Sequence, residues 1–579
     1  MKLTGAQIIV KILEAYGIKI VAGIPGGSIL PLYNELNKSS VIKHVLVRQE
    51  QAGGFLAQGM ARSTGKPAVC MATSGPGAMN LLTAIADARA DSIPIIAITG
   101  QVNTGLIGTD AFQEADTFGL SFPITKDSML IKKAEELLEA IPFAFELAVL
   151  GRPGSILIDV PRNVQLEEIE VSENQLKYEN LKNSVKNHAS IKFHAETKEI
   201  AEKVEQIAGM LNSAKRPVLF CGGGCNSFEA NTQISCFLKQ YKIPVVTSLM
   251  GLGCIAKSDP CFIGMVGMHG SYAANVAMHD ADLVIAAGVR FDDRATGVVN
   301  KFCPDAKIIH IDVDAAEVDK ILPSSVSIVA DVESVFSILA ELVTERHITS
   351  SEQWLNKICK LEEETSSIIM GRPADETKTN PREIISKIPE FAEAAGIKGS
   401  DLIVTTDVGQ HQMWAAQYYP VERPRSFLTS GSLGTMGFGL PAAIGAALAN
   451  KDKRVVCISG DGSIMMNIQE LATLAEQNLA VTVIVFENGT LGMVYQQQKY
   501  LFDKNYSASV FEKKPDLLAI ARGFGIEAVD ADSDSEWYKK AFDAKRGNKP
   551  CFVKITVDAE ETVLPFVPGG KANIDSIRN

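Results

Sequence analysis

Short apolar runs alternate with amphipathic helical stretches from the start of the chain. Residues 19–24 predict a strand ending in Pro25-Gly26-Gly27, and a second strand falls near 44–47. Glu50 then opens a helix whose small residues (Ala52, Gly53, Gly54, Ala57, Gly59 and Ala61) permit close packing. Further strands are predicted at 68–72, ending in Ser74-Gly75-Pro76-Gly77, at 95–99 and at 156–161. This β-α-β-α rhythm implies a parallel sheet covered by helices. The rhythm returns twice. A second unit has strands at 217–221, 244–247, 283–287 and 307–311; a third has them at 402–405, 454–458, 481–486 and 551–555. Two polar stretches, 166–195 and 346–380, read as linkers. The expected architecture is therefore α/β, with three doubly wound parallel-sheet domains at 1–165, 196–345 and 381–556 and a tail at 557–579.

Composition narrows the function classes. The 579 residues are 46% hydrophobic and 21% charged, ordinary for packed globular protein. The net charge of −12 argues against nucleic acid, because neutralising phosphates needs a basic surface. No run of about 18 apolar residues predicts a membrane span. The amino-terminal residues show no signal-peptide pattern, so a cytoplasmic location is expected. Ten cysteines are scattered without a CxxC pair and read as reduced, buried thiols. Cys221 and Cys225, flanking Gly222-Gly223-Gly224, are a weaker metal candidate.

The most specific local chemistry lies in the third unit. Gly460-Asp461-Gly462-Ser463 ends one predicted strand and Glu487-Asn488-Gly489-Thr490 ends the next. The right-handed crossover rule makes these strands parallel, so Asp461 and Asn488 share the carboxyl edge where open α/β sheets bind ligands. A carboxylate and an amide oxygen suit Mg²⁺, which shares its coordination sphere with phosphates, and the helix start after Gly462 favours an anion. On residues alone, a strand-to-helix turn with a capping Asp is the competing reading. Likewise, Glu50 is compatible with a favourable first-turn charge, and Arg290-Phe291-Asp292-Asp293-Arg294 with a solvated salt-bridge cluster.

Gly460-Asp461-Gly462 followed by Asn488 resembles the metal-diphosphate motif of thiamine-diphosphate enzymes. Gly23-Ile24-Pro25-Gly26-Gly27-Ser28, Thr73-Ser74-Gly75-Pro76-Gly77, Gly108-Thr109-Asp110-Ala111-Phe112-Gln113-Glu114 and Gly434-Thr435-Met436-Gly437-Phe438-Gly439 narrow the resemblance to the acetohydroxyacid (acetolactate) synthase catalytic subunits. The resemblance implies a pyrimidine-binding first domain, a Rossmann-like FAD-binding central domain and a diphosphate-binding third domain. Asp461, Asn488 and the Thr490 carbonyl would hold Mg²⁺. Gly462, Ser463, Gln410 and His411 would meet the diphosphate, Met436 would support the bent cofactor, and Glu50 would activate its aminopyrimidine. Gln113 would lie in the active site. Glu487 departs from the family pattern, where many members have a second Asn.

The Arg-Phe-Asp-Asp-Arg run, with Met268-His269-Gly270 before it, resembles the flavin-containing members. Arg152, Gly222, Gly223, His269, Gly288, Arg290, Asp292, Asp312 and Asp331 match their FAD positions, and Arg294 would bind the second oxo acid's carboxylate. Val563-Leu564-Pro565-Phe566-Val567-Pro568-Gly569-Gly570 resembles a tail folded over the site. Most of these enzymes carry Trp at Gln497, where it packs on the extra methyl of 2-oxobutyrate; Gln resembles the bacterial isozyme I form. The implied reaction decarboxylates pyruvate and joins the two-carbon unit to a second pyruvate or to 2-oxobutyrate, the first common step toward valine, leucine and isoleucine. A homodimer or dimer of dimers and a small regulatory subunit are implied partners. The competing functions are a flavin-dependent pyruvate oxidase and a non-catalytic cofactor-binding scaffold.

Overall fold

A computed structural model describes residues 1–186, 197–346, 351–370, 379–543, 547 and 549–578. It contains three six-stranded sheets whose strand pairs are all parallel. In spatial order the first sheet runs Lys43–Leu46, Ile20–Ile24, Ala68–Ala72, Ile95–Gln101, Ile156–Pro161 and Asp127–Leu130. The second runs Phe262–Met265, Val245–Thr247, Pro217–Cys221, Leu283–Ala287, Lys307–Asp312 and Val326–Val329. The third runs Phe427–Leu428, Leu402–Thr406, Arg454–Gly460, Val481–Glu487, Cys551–Thr556 and Glu527–Asp530. The central strands of each sheet are buried on both faces, as expected for parallel sheets between helical layers.

The two polar stretches are more structured than linkers. Glu168–Glu170 pairs antiparallel with Lys2–Thr4. The helix Tyr178–Val185 sends Leu181 and Val185 into the first core. The helix Glu352–Met370 sends Trp354, Leu355 and Ile358 into the central core. Each helix carries only a narrow apolar stripe on a polar background, enough to dock it but too sparse to show in composition. The rest of those predicted linkers, 187–196, 347–350 and 371–378, lies outside the described residues. No described helix is long and apolar enough to cross a membrane.

The first and third domains share one apolar core. Its seam is the crossing of helix Glu50–Thr64 with helix Gly439–Ala449. The backbones approach so closely that a Cβ at Gly59 would lie 2.1 Å from the Ala442 carbonyl, and one at Gly445 2.0 Å from that of Leu56. Glycine is required at both positions by this contact rather than by any turn.

Candidate active site

The paired strands Arg454–Gly460 and Val481–Glu487 end side by side, with Gly460 opposite Phe486, which brings Asp461 and Asn488 to one edge. The helix after Gly460 is a single turn, Asp461–Ile464. Asp461 accepts the Gly489 N–H through Oδ2 at 2.7 Å and the Gly462 N–H through Oδ1 at 3.1 Å. Burial, reinforced by the charge of Glu487 and opposed by the Gly489 N–H and Lys514, pushes its carboxyl up to about 6. Asn488 Oδ1 accepts the Thr490 N–H at 3.0 Å and its hydroxyl at 2.9 Å. Asp461, Asn488 and Thr490 line one cavity of about 640 Å³, together with Gln410, His411, Met436, Gly462, Ser463, Arg294 and Gln497.

This wall fits a metal-bound diphosphate. His411 is kept neutral, its pKa lowered to about 3 by burial against a small opposing effect of the Asp407 carbonyl, and its Nε2 is buried without a partner in the cavity wall. An orphaned imidazole nitrogen costs free energy unless a ligand meets it. Among the described residues no three His, Cys, Asp or Glu side chains are grouped to hold a metal. A Mg²⁺ here would therefore take one carboxylate, one amide oxygen and one carbonyl, leaving its other positions to phosphate and water. Cys221 and Cys225 are buried free thiols.

Behind the metal-side residues runs a chain of amides, in which the sequence pointed to Asn488 and Gln410 but not to Gln496. Asn488 Nδ2 donates to Gln410 Oε1 at 3.2 Å, and Gln410 Nε2 donates to Gln496 Oε1 at 3.0 Å and to the Glu561 carbonyl at 2.9 Å. Gln496, fully buried, exchanges hydrogen bonds with the backbone of Val563. Neighbouring glutamines thus part ways: Gln496 turns to the tail while Gln497 lines the cavity.

The tail itself departs from the expected lid. Of the described tail residues 557–578, only Val557 lines the cavity. Residues 560–563 are held by the third domain, through Tyr495, Lys499, Gln410, Gln496 and Arg382, and residues 566–573 dock on the central domain. The Val567 N–H donates to the Met268 carbonyl at 2.9 Å, Asn573 Nδ2 donates to the Ala295 carbonyl at 2.8 Å, and Phe566 stacks on His269 at 5.6 Å.

A second cavity, about 610 Å³, lies between the first and central domains. Arg152, Gly223, Gly288, Arg290, Asp292, Asp312 and Asp331 line it. Gly222 lies just beneath, where a Cβ would fall 2.0 Å from the Gly288 carbonyl. His269 does not line this cavity; it lines the first. The two cavities share Ser248, Met250, Arg290 and Asp292 in their walls, so one elongated ligand has a path from one to the other. Its carboxylates suit ribose hydroxyls and its glycine-rich turn suits a diphosphate, which fits FAD. The run 290–294 is divided between tasks: Arg290 donates to Ser432 Oγ at 2.6 Å, Asp292 caps the turn carrying Arg294, and Arg294, 68% exposed, lies at the first cavity's rim.

Glu50 and Gln113 line neither cavity. Glu50 accepts from Asn80 Nδ2 at 2.9 Å and lies over Gly77. Gln113 sits at φ 60° in a loop braced by Glu114, whose carboxylate accepts the N–H groups of Gly108, Thr109 and Ala111. Large apolar side chains stand exposed near both halves: Leu106, Phe112 (88% exposed), Leu120 and Phe122 on the first domain, and Leu433, Met465, Met466 and Val494 on the third.

Models of the thiamine pyrophosphate enzyme domains match this chain in three stretches: the N-terminal TPP binding domain over residues 3–120, the central domain over 204–341 and the C-terminal TPP binding domain over 407–555. Fold and site together define a thiamine pyrophosphate enzyme. The chain is 46% identical to the acetolactate synthase isozyme 1 large subunit of Escherichia coli, over 100% of this chain and 98% of that protein. It is 42% identical to a probable acetolactate synthase large subunit of Methanocaldococcus jannaschii (98% and 94%) and 40% identical to the Escherichia coli isozyme 2 large subunit (99% and 99%). It belongs to the acetolactate synthase large-subunit family.

Proposed function

We propose that the chain joins the two-carbon unit of decarboxylated pyruvate to a second pyruvate, or to 2-oxobutyrate, using thiamine diphosphate, Mg²⁺ and a non-redox FAD. The observation that carries this reading is the single wall on which Asp461, Asn488, Thr490, Met436, Arg294 and Gln497 converge. Asp461, Asn488 and the Thr490 carbonyl hold the metal; Gly462, Ser463, Gln410 and His411 surround the diphosphate. Bound there, thiamine diphosphate supplies a carbon nucleophile that also stabilises negative charge after loss of CO₂. Glu50 holds a proton at the aminopyrimidine ring. Arg294 offers a planar fork to the carboxylate of the second oxo acid, with Gln113 and Gln497 at the reacting end.

Glu50 and Gln113 lie outside their own chain's cavity, so the working site takes them from a second copy, with the exposed apolar patches buried between the two. We assign the chain a homodimer or dimer of dimers, a small regulatory subunit of the kind implied by the relatives' designation as large subunits, and a cytoplasmic location. The test is an assay of pyruvate consumption with Mg²⁺ and thiamine diphosphate, with products identified. Acetolactate is expected, and acetohydroxybutyrate when 2-oxobutyrate is added. Acetate or acetyl phosphate formed with oxygen uptake would instead support the oxidase.

A further inference from the structure

A buried ionic cluster at the edge of the second cavity joins the first domain to the loop that carries Met436. Arg62 Nη2 lies 2.8 Å from Asp91 Oδ2 and 3.3 Å from Asp87 Oδ2, with all three side chains buried. One guanidinium faces two buried carboxyl groups, so it cannot satisfy both alone and hydrogen bonds supply the rest. The donors come from the third domain. Asp91 accepts the N–H groups of Gly431 at 2.9 Å and Ser432 at 2.8 Å. Asp87 Oδ1 accepts the hydroxyls of Ser430 and Thr435, the latter at 2.8 Å, and the Thr435 N–H returns to Ser430 Oγ at 2.9 Å. The segment 430–435 is thus held at both ends by helix Pro76–Ala90 and the residue following it. It is also the partition between the cavities. Gly431, Ser432, Gly434 and Met436 line the first, Arg62 and Asp91 line the second, and Arg290, common to both, donates to Ser432 Oγ.

A cluster that served folding alone would have no reason to concentrate its bonds on this one loop. Buried ionic groups are costly, and apolar packing of the same volume is often at least as stable. We propose that Asp87 and Asp91 are positioning residues for the reaction: they fix the 430–436 segment so that Met436 keeps the shape of the cofactor cavity, and they link that wall through Ser432 and Arg290 to the flavin cavity. This rests on the cofactor reading above and deepens it. It also gives a non-redox flavin something to do, because a ligand seated against Arg290 and Asp91 would brace the partition from behind.

Thr435→Val removes the hydroxyl that reaches Asp87 with little change of shape, and leaves the charged cluster in place. The holoenzyme is measured for C2–H exchange of bound thiamine diphosphate, the near-ultraviolet circular dichroism of the cofactor, its Kd, and Tm. Exchange and kcat are expected to fall about tenfold, since even ångström-scale misplacement costs up to about 10²-fold. The Kd is expected to stay within about twofold, because Asp461 and Asn488 are untouched. Wild-type exchange and dichroism with a lowered Tm would overturn the proposal and leave the cluster a folding device. Asp91→Asn is the second variant, expected to lower retained FAD and the exchange rate together; FAD loss with unchanged exchange would break the link between the cavities. If the wild-type protein itself showed no exchange with Mg²⁺ and thiamine diphosphate, the cofactor reading would fail, and the variants would not be at issue.

Discussion

The first and third domains present the carboxyl edges of similar six-stranded sheets in opposite ways. On the third, the strand ends open into a concave wall where Asp461, Asn488, His411 and Met436 face inward. On the first, the corresponding edge lines neither cavity: Glu50 starts a helix beside Asn80, and the loop around Gln113 leaves Phe112 in solvent. One edge has polar groups in need of a ligand; the other has an acid and apolar side chains in need of a surface. On the reading proposed above, a socket and a plug on one chain, not engaged with each other, would meet across two copies. The helix crossing at Gly59 and Gly445 explains why they stay apart, since it locks the two domains back to back.

The largest effect should come from separating plug and socket. Asp461→Ala and Glu50→Ala homodimers are both expected to be inactive. A mixed population with verified subunit exchange should regain activity, up to about a quarter of wild type, because one of the two sites in each heterodimer is intact. Recovery of none would place plug and socket in the same working site of one chain. Next in size is Glu50→Gln, which keeps the shape of the plug and removes its charge. Thiamine diphosphate should bind nearly as well while C2–H exchange falls by about 10²–10⁴, the usual range for a lost acid–base group. Exchange at the wild-type rate, read by NMR, would remove Glu50 from the chemistry.

Much of this was legible in the chain. The central strands were, because strands buried on both faces are continuous apolar runs. The edge strands Asp127–Leu130, Phe262–Met265, Val326–Val329 and Glu527–Asp530 were not, being short and partly exposed. Asp461 and Asn488 were legible because crossover handedness alone puts consecutive strand ends on one edge. Glu50, Gln113 and the proposed flavin positions were suggested only by resemblance, not by local pattern. The anchoring groups Asp87, Asp91, Gln410–Gln496 and Arg382, which bonds Glu561 and the Thr562 carbonyl, carry no local signature. Gln496 lies 86 residues from Gln410, and the third-domain partners of Asp87 lie 343 and 348 residues away, so only folding brings them together.

The socket differs from the plug in a further respect: its domain ends in a tail clamped to the central domain through His269. Burial, helped by the charge of Arg294 and opposed by the Pro565 carbonyl, lowers this imidazole to about 4. The unfolded chain, near 6.5, binds more protons between those values, so stability is full above about pH 6.5 and is lost as pH falls toward 4. A shift of that size corresponds to at most about 3 kcal/mol. Hydrogen exchange of the 563–573 backbone should accelerate across that window, and His269→Gln should flatten the dependence. A tail whose protection is the same at pH 7 and pH 4.5 would show that His269 does not clamp it.

The smallest effect concerns the floor of the socket. Gln497 lines the cavity beside Met493 and Val494, at the position where the sequence resemblance implies Trp in most members of the family. An indole offers a broad apolar face to the extra methyl of 2-oxobutyrate, whereas a carboxamide offers a narrow one that prefers water. One methylene in an apolar pocket is worth about 1–3 kcal/mol, and Gln forfeits part of it. The chain should therefore prefer 2-oxobutyrate over pyruvate only weakly, make chiefly acetolactate when pyruvate dominates, and resist sulfonylureas more than Trp-bearing relatives. Gln497→Trp should shift the product ratio toward acetohydroxybutyrate by up to about tenfold, leaving the plug-side exchange chemistry at Glu50 untouched. Both oxo acids are supplied together and the two products counted. A ratio that does not move would mean that Met493 and its neighbours already supply the apolar wall, and that position 497 selects nothing.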